Sequence, residues 1–154
     1  MKYLKYNTKK NEIKKDFIKK EPPIDLNMLD EAISRLELAE RPIIYSGGGV
    51  INSGQSAVNS LRNLVAGTNF PITSTLMGLG SYPASGKNWL GMLGMHGTYE
   101  ANMSMHDCDF MLCIGARFDD RITGRIDAFS PNSYKVHIDI CLLYTSDAAD
   151  DLWC

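Results

Sequence analysis

The apolar positions change their period several times along the chain, and each change marks an element. Leu29, Ile33 and Leu36 recur at helical spacing, with Asp25 or Asn27 available as an N-cap and Arg41-Pro42 as the stop. This helix is expected to bury one face. The short apolar run Ile43-Ile44-Tyr45 leads directly into Ser46-Gly47-Gly48-Gly49, and Ala57, Leu61, Leu64 and Val65 then mark a second amphipathic helix. Strand, glycine turn and helix together open a βαβ unit. The pattern repeats, which predicts strands over residues 71–75, 109–115 and 134–140 and a helix over residues 97–105. Between them, Leu90-Gly91-Met92-Leu93-Gly94-Met95-His96-Gly97-Thr98 reads as a glycine-rich loop that would admit a flat ligand, with methionines as polarizable packing.

Apolar strands alternating with helices predict an α/β fold, a doubly wound parallel sheet covered on both faces. At 154 residues and 44% hydrophobic, the chain has enough apolar surface for one such core. No apolar run reaches the ~18 residues of a membrane span, and the N-terminus lacks the apolar stretch of a signal peptide. A cytoplasmic location without membrane contact is the expectation. Eight lysines fall among the first 20 residues, but no aromatic residues interleave with them regularly and no binding module stands beside them. Residues 1–26, ending in Glu21-Pro22-Pro23 and the short run after it, are therefore read as a solvated interdomain linker, with no nucleic-acid partner. The four cysteines form no CxxC pair, and Cys113 lies within an apolar strand, so His106, Cys108 and Cys113 are not read as a metal site.

Ligands on doubly wound sheets sit at the carboxyl ends of the strands, where this sequence concentrates its glycines and charges. Gly47-Gly48-Gly49 follows the first strand, and its main-chain N–H groups could approach a phosphate or an adenine. The dinucleotide fingerprint G-x-G-x-x-G fails, because Asn52 holds its last position and no ribose-binding acid ends the second strand, so an NAD dehydrogenase is disfavoured. The second strand ends in Thr75 and Leu76, and glycines follow in the loop. Gly115-Ala116-Arg117-Phe118-Asp119-Asp120-Arg121, after the third, offers guanidinium groups for a pyrophosphate or a substrate carboxylate and aspartates to orient them. Asp139 ends the fourth, where a carboxylate commonly accepts hydrogen bonds from ribose hydroxyls.

Taken in order, Ser46-Gly47-Gly48-Gly49-Val50-Ile51, Ser74-Thr75-Leu76-Met77-Gly78-Leu79-Gly80, Leu93-Gly94-Met95-His96-Gly97-Thr98, the segment from Gly115 to Arg121, and His137-Ile138-Asp139-Ile140 resemble the central domain of the acetolactate synthase (acetohydroxyacid synthase) large subunit. The resemblance covers roughly residues 25–140 and implies a Rossmann-like thiamine-diphosphate-enzyme central domain over residues 27–140, incomplete at its C-terminal end. It implies FAD as the ligand, lined by Gly48, Thr75, Leu76, Leu93, Gly94, Met95, His96, Gly115, Ala116, Arg117, Phe118, Asp119, Asp139 and Ile140. Arg121 and Met95 match positions that face the acceptor 2-oxoacid, pyruvate or 2-oxobutanoate. Thiamine diphosphate and Mg2+ belong, by the same resemblance, to domains this chain lacks, so no catalytic residue is assigned and the chain is expected to be inactive alone. The resemblance also implies a homo-oligomer of the full large subunit and a small regulatory subunit. A related thiamine-dependent enzyme and a stand-alone nucleotide-binding module are the competing readings.

After Ile140 the pattern switches abruptly to Cys141-Leu142-Leu143-Tyr144-Thr145-Ser146-Asp147-Ala148-Ala149-Asp150. This run is similar to a translated reading frame of a transposase adapter used in sequencing libraries, so residues 141–154 are expected not to be native. Setting them aside removes three aspartates and no basic residue, which moves the formal charge from -2 to +1.

Overall fold

A computed structural model describes residues 26–125 and 128–139, the side chains of Asp120 and Arg121 excepted. The linker expected over residues 1–26 lies almost wholly outside the described residues, as do Ile140 and the 141–154 tail.

The elements run α1 (Leu26–Glu37), β1 (Pro42–Ser46), α2 (Gly48–Asn52), α3 (Gln55–Thr68), β2 (Ile72–Ser74), a 3-10 turn (Leu76–Gly78), β3 (Trp89–Met92), α4 (Tyr99–Asp107), β4 (Phe110–Ile114), α5 (Asp120–Thr123) and β5 (Tyr134–Ile138). All strand pairs are parallel, in the order β3-β2-β1-β4-β5. The doubly wound α/β expectation holds. One strand was not foreseen: β3 was read as part of a glycine-rich loop, yet Trp89 pairs with Ile72 and Met92 with Ser74 across a register shift. A shift within so short an edge strand, with Gly91 at φ 98° inside it, destroys the alternation by which a strand is recognised.

The period-two geometry of β1 and β4 divides the core. Ile43, Tyr45, Met111 and Cys113 point to one face, where they meet Leu93, Met105, Cys108, Ala116 and Phe118. Ile44 points to the other, with Ile72 and with Val50, Val58, Leu61 and Val65 from α2 and α3. Each strand of a sheet covered on both faces must be apolar on both, which is why β1 and β4 read as unbroken hydrophobic runs.

Helix α1 departs from expectation. Its apolar stripe is uncovered among the described residues, with Leu26 68% exposed and Leu29 and Ile33 each 45% exposed. The helix instead meets the start of β5, where the Arg35 guanidinium lies 5.2 Å from the centre of the Tyr134 ring.

Asp109 ties the start of β1 to β4. Its carboxylate accepts from the backbone N–H of Glu40 at 2.8 Å and of Arg41 at 2.9 Å, while its own N–H donates to the Arg41 carbonyl. Burial pushes this carboxyl up, but the backbone N–H groups of Glu40, Arg41 and Asp109 itself, together with the Arg41 charge, outweigh it and hold the carboxyl below its ordinary value. A depressed folded value contributes stability above the unfolded pKa, ~3.9, and that contribution is lost as pH falls through the folded value. Asp109→Asn replaces one acceptor with a donor facing a donor, so we expect a loss of about 1–2 kcal/mol at neutral pH. In denaturant titrations this difference should shrink steadily below about pH 4.

Candidate functional site

The strand order reverses its direction of growth between β1 and β4, because the chain builds outward from β1 through β2 to β3 and then returns to β4 and β5 on the other side. Loops leaving such a reversal diverge above and below the sheet, and a crevice forms at the carboxyl ends of the strands. Four polypeptide segments meet there: residues 46–49, 74–80, 115–119 and 139.

The base of this crevice is made of backbone. The Gly47 N–H donates to the Ile114 carbonyl at 2.9 Å and the Gly49 N–H to the Gly115 carbonyl at 2.9 Å. A Cβ on Gly47 would stand 2.1 Å from the Gly115 oxygen. The triple glycine thus lets two loops touch each other, and two of the N–H groups that sequence analysis offered to a phosphate are engaged within the fold. Gly48 faces the neighbouring loop instead, where a Cβ would meet the Met77 side chain at 3.0 Å.

The 74–80 loop is held from several sides. Thr75 caps the 3-10 turn, its Oγ1 accepting from the Gly78 N–H at 2.9 Å, so this hydroxyl has a structural duty. The Ser46 and Ser81 hydroxyls share a buried hydrogen bond of 2.9 Å, and the Arg62 guanidinium on α3 donates to the Gly80 and Ser81 carbonyls. These anchors leave Leu76 and Met77 67% and 75% exposed. From the other side Met95 is 76% exposed on a turn whose Gly94 N–H and carbonyl are both bonded by Asn102, at 3.1 Å each. His96, on the same turn, is exposed. Leu76, Met77 and Met95 thus present apolar side chains to solvent from loops tied down by hydrogen bonds.

Residues 115–119 divide into an outward and an inward set. Arg117 is exposed and pairs with Asp119 at 3.2 Å. Ala116 and Phe118 are buried, and the Phe118 ring meets those of Tyr45 at 5.7 Å, Phe129 at 5.9 Å and His137 at 5.4 Å. Phe118 and Leu93 belong to the core under the crevice, so only their backbones can border a ligand. The Asp139 side chain is 10% exposed and lies 3.8 Å from His137 Nε2. The Arg121 side chain and Ile140 lie outside the described residues.

Two buried oxygens beneath this loop, Tyr45 Oη and Asp119 Oδ1, have no hydrogen-bond partner among the described residues. Burial pushes the Tyr45 phenol and the Cys113 thiol well above their ordinary values; nearby Cys113 and Asp119 raise the phenol further, and Asp139 the thiol. Cys108 and Cys113 are free and buried. No three His, Cys, Asp or Glu residues converge to hold a metal ion among the described residues. A cavity of about 170 Å³ between α4 and α5, lined in part by Leu93, Met105, Ile122 and Phe129, is too small for a dinucleotide. No described helix is long and apolar enough to cross a membrane.

His137, Ser81 and Arg62 were not among the predicted site residues. The alternation of Lys135, His137 and Asp139 against Val136 and Ile138 already placed the histidine and the aspartate on one face of β5. No local signal marks Arg62, whose partners Gly80 and Ser81 lie on a distant loop, or the pairing of Ser81 with Ser46 on β1.

A parallel sheet of this order, with a reversal point between β1 and β4, defines a doubly wound α/β domain. Residues 29–143 match the family described as "Thiamine pyrophosphate enzyme, central domain", and the chain belongs to that family. It is 46% identical over 115 residues to the acetolactate synthase large subunit of Buchnera aphidicola subsp. Acyrthosiphon pisum, covering 75% of this chain and 20% of that protein. Against the isozyme 3 large subunit of Escherichia coli K12 it is 46% identical over 112 residues, 73% of this chain and 19% of that protein. Against the large subunit of Parasynechococcus marenigrum it is 44% identical over 124 residues, 80% of this chain and 20% of that protein. The chain spans about a fifth of the length of these curated relatives.

Proposed function

We propose that this chain is the FAD-binding middle portion of an acetolactate synthase large subunit, an enzyme that condenses pyruvate with a second 2-oxoacid on the way to branched-chain amino acids. The observation that carries the reading is the convergence of the four strand-end segments in a chain nearly half identical to proteins of that name. The crevice suits a flavin in its chemistry. Leu76, Met77 and Met95 present exposed apolar surface to a ring, Arg117 stands exposed where a pyrophosphate would lie, and Asp139 follows β5 directly, where a ribose would be met. Gly48, with only the Met77 side chain near its missing Cβ, leaves room beside that loop. Thr75, Leu93, Gly94, His96, Gly115, Ala116, Phe118, Asp119 and Ile140 complete the proposed lining, several of them through backbone alone.

Arg121 and Met95 are assigned to the acceptor pocket, Arg121 as partner of the 2-oxoacid carboxylate. Thiamine diphosphate and Mg2+ supply the decarboxylation and carbon–carbon bond chemistry, held by segments outside this chain. We assign the full-length protein to the cytoplasm, as a homo-oligomer with a small regulatory subunit.

The test uses the protein at its full natural length. It should take up FAD and form acetolactate from pyruvate when supplied with thiamine diphosphate and Mg2+, whereas the 154-residue chain should form none. Asp139→Ala should weaken FAD binding roughly tenfold, as expected for losing a charged hydrogen-bond partner. Turnover by the short chain, or a full-length protein that makes no acetolactate, would overturn the reading.

A further inference from the structure

We propose that His137 is a positioning residue that latches the loop of residues 115–119 to β5 through the Ala116 carbonyl and so sets the form in which that loop meets the flavin; the second half of this statement rests on the function proposed above. The imidazole Nε2 lies 2.8 Å from the Ala116 oxygen. A carbonyl only accepts, so Nε2 carries the proton of this bond. Cys113, the partner of His137 in the β4–β5 register, brings its Sγ to the same oxygen at 3.5 Å. Two neighbouring strands thus converge on one peptide group of a loop that turns back over both.

The surroundings make this contact costly to lose. The His137 side chain is 9% exposed, Ala116 is buried, and the Phe118 ring stands edge-on to the imidazole at 5.4 Å. An Ala116 carbonyl deprived of its strong donor would turn toward water, and the peptides on either side, including that of Arg117, would turn with it. The Asp139 carboxylate, 3.8 Å from the same nitrogen, keeps a positive edge of the imidazole beside it. One side chain therefore couples the orientation of the loop bearing Arg117 to that of the strand end bearing Asp139.

The test compares the full-length natural protein with His137→Phe, which keeps a ring and loses the donor, and His137→Gln, whose amide N–H can occupy the Nε2 position. Two quantities are read: amide hydrogen exchange of residues 115–119 without FAD, and FAD affinity by flavin fluorescence titration. H137F should speed loop exchange while leaving β1 and β4 protected, and should weaken FAD binding about tenfold; H137Q should restore both to within about threefold of the wild type. If H137F does not fold, His137→Asn, too short to bring its amide to the Ala116 oxygen, takes its place. Equal loop exchange in all three proteins, or H137Q as impaired as H137F, overturns the latch. A wild-type protein that takes up no FAD overturns the flavin reading alone, and loop exchange then decides the latch.

Discussion

Gly47→Ala is expected to be the most damaging single-methyl change in the domain, lowering stability by about 3 kcal/mol or more. The added Cβ would stand 2.1 Å from the Gly115 oxygen and 2.3 Å from the Ala116 Cα. Both are main-chain atoms, and they are held in place by the β1–β4 ladder and by the bond from Gly47 N–H to Ile114 O. Relief requires separating the two central strands where their loops cross. Thermal unfolding followed by far-ultraviolet circular dichroism should show a midpoint lower by about 10 °C. Gly67→Ala serves as the opposite-sign control. Nothing lies within 4 Å of its missing Cβ and it sits inside α3, so the same methyl group there should stabilise the fold by up to ~1 kcal/mol.

Phe118→Ala should come close in magnitude and differ in kind. The ring is 5% exposed and touches Tyr45, Phe129 and His137 at centroid distances below 6 Å. Truncating it should cost about 3–5 kcal/mol, the sum of lost transfer energy and the cavity left behind. The cavity would open under residues 115–119, so the loop loses its anchor as well as the core its filling. Phe118→Leu restores most of the volume but not the edge-on aromatic contacts, and should recover all but about 1–2 kcal/mol. Urea denaturation midpoints of the three proteins, at unchanged slope, give the comparison.

The uneven legibility of the fold has identifiable causes. Strands β1 and β4 stood out because strands of a parallel sheet covered on both faces are apolar at nearly every position, whereas β2 (Ile72-Thr73-Ser74) and β5, where Lys135 and His137 alternate with Val136 and Ile138, were legible from their place in the repeating β-α pattern. Strand β3 was invisible because Gly91 and a register shift interrupt four half-buried residues at the sheet edge. The apolar stripe of α1 was correctly seen in Leu29, Ile33 and Leu36, yet periodicity reports only that a face is apolar, and among the described residues that face is uncovered. At the crevice, residue types at strand ends were readable, but their division of labour was not. Arg117 and Phe118 are neighbours in one motif; whether a side chain points outward to a ligand or inward to the core depends on the path of the loop over Tyr45 and His137. The glycine triplet likewise advertised close approach without saying to what, and the answer was another stretch of the same backbone.

The division of the core into two clusters also imposes an order in time. Buried residues on the α3 face all lie between Ile44 and Ile72, a span that leaves the ribosome as one piece. Those on the opposite face reach from Ile43 to Phe118, so Tyr45 must wait for more than seventy further residues before its ring meets its partner. During synthesis the buried residues of one face of the central strand are therefore available to one another while the other face still waits for its partners, and the 115–119 loop, whose Ala116 and Phe118 belong to that second face, is among the later parts to acquire its shape.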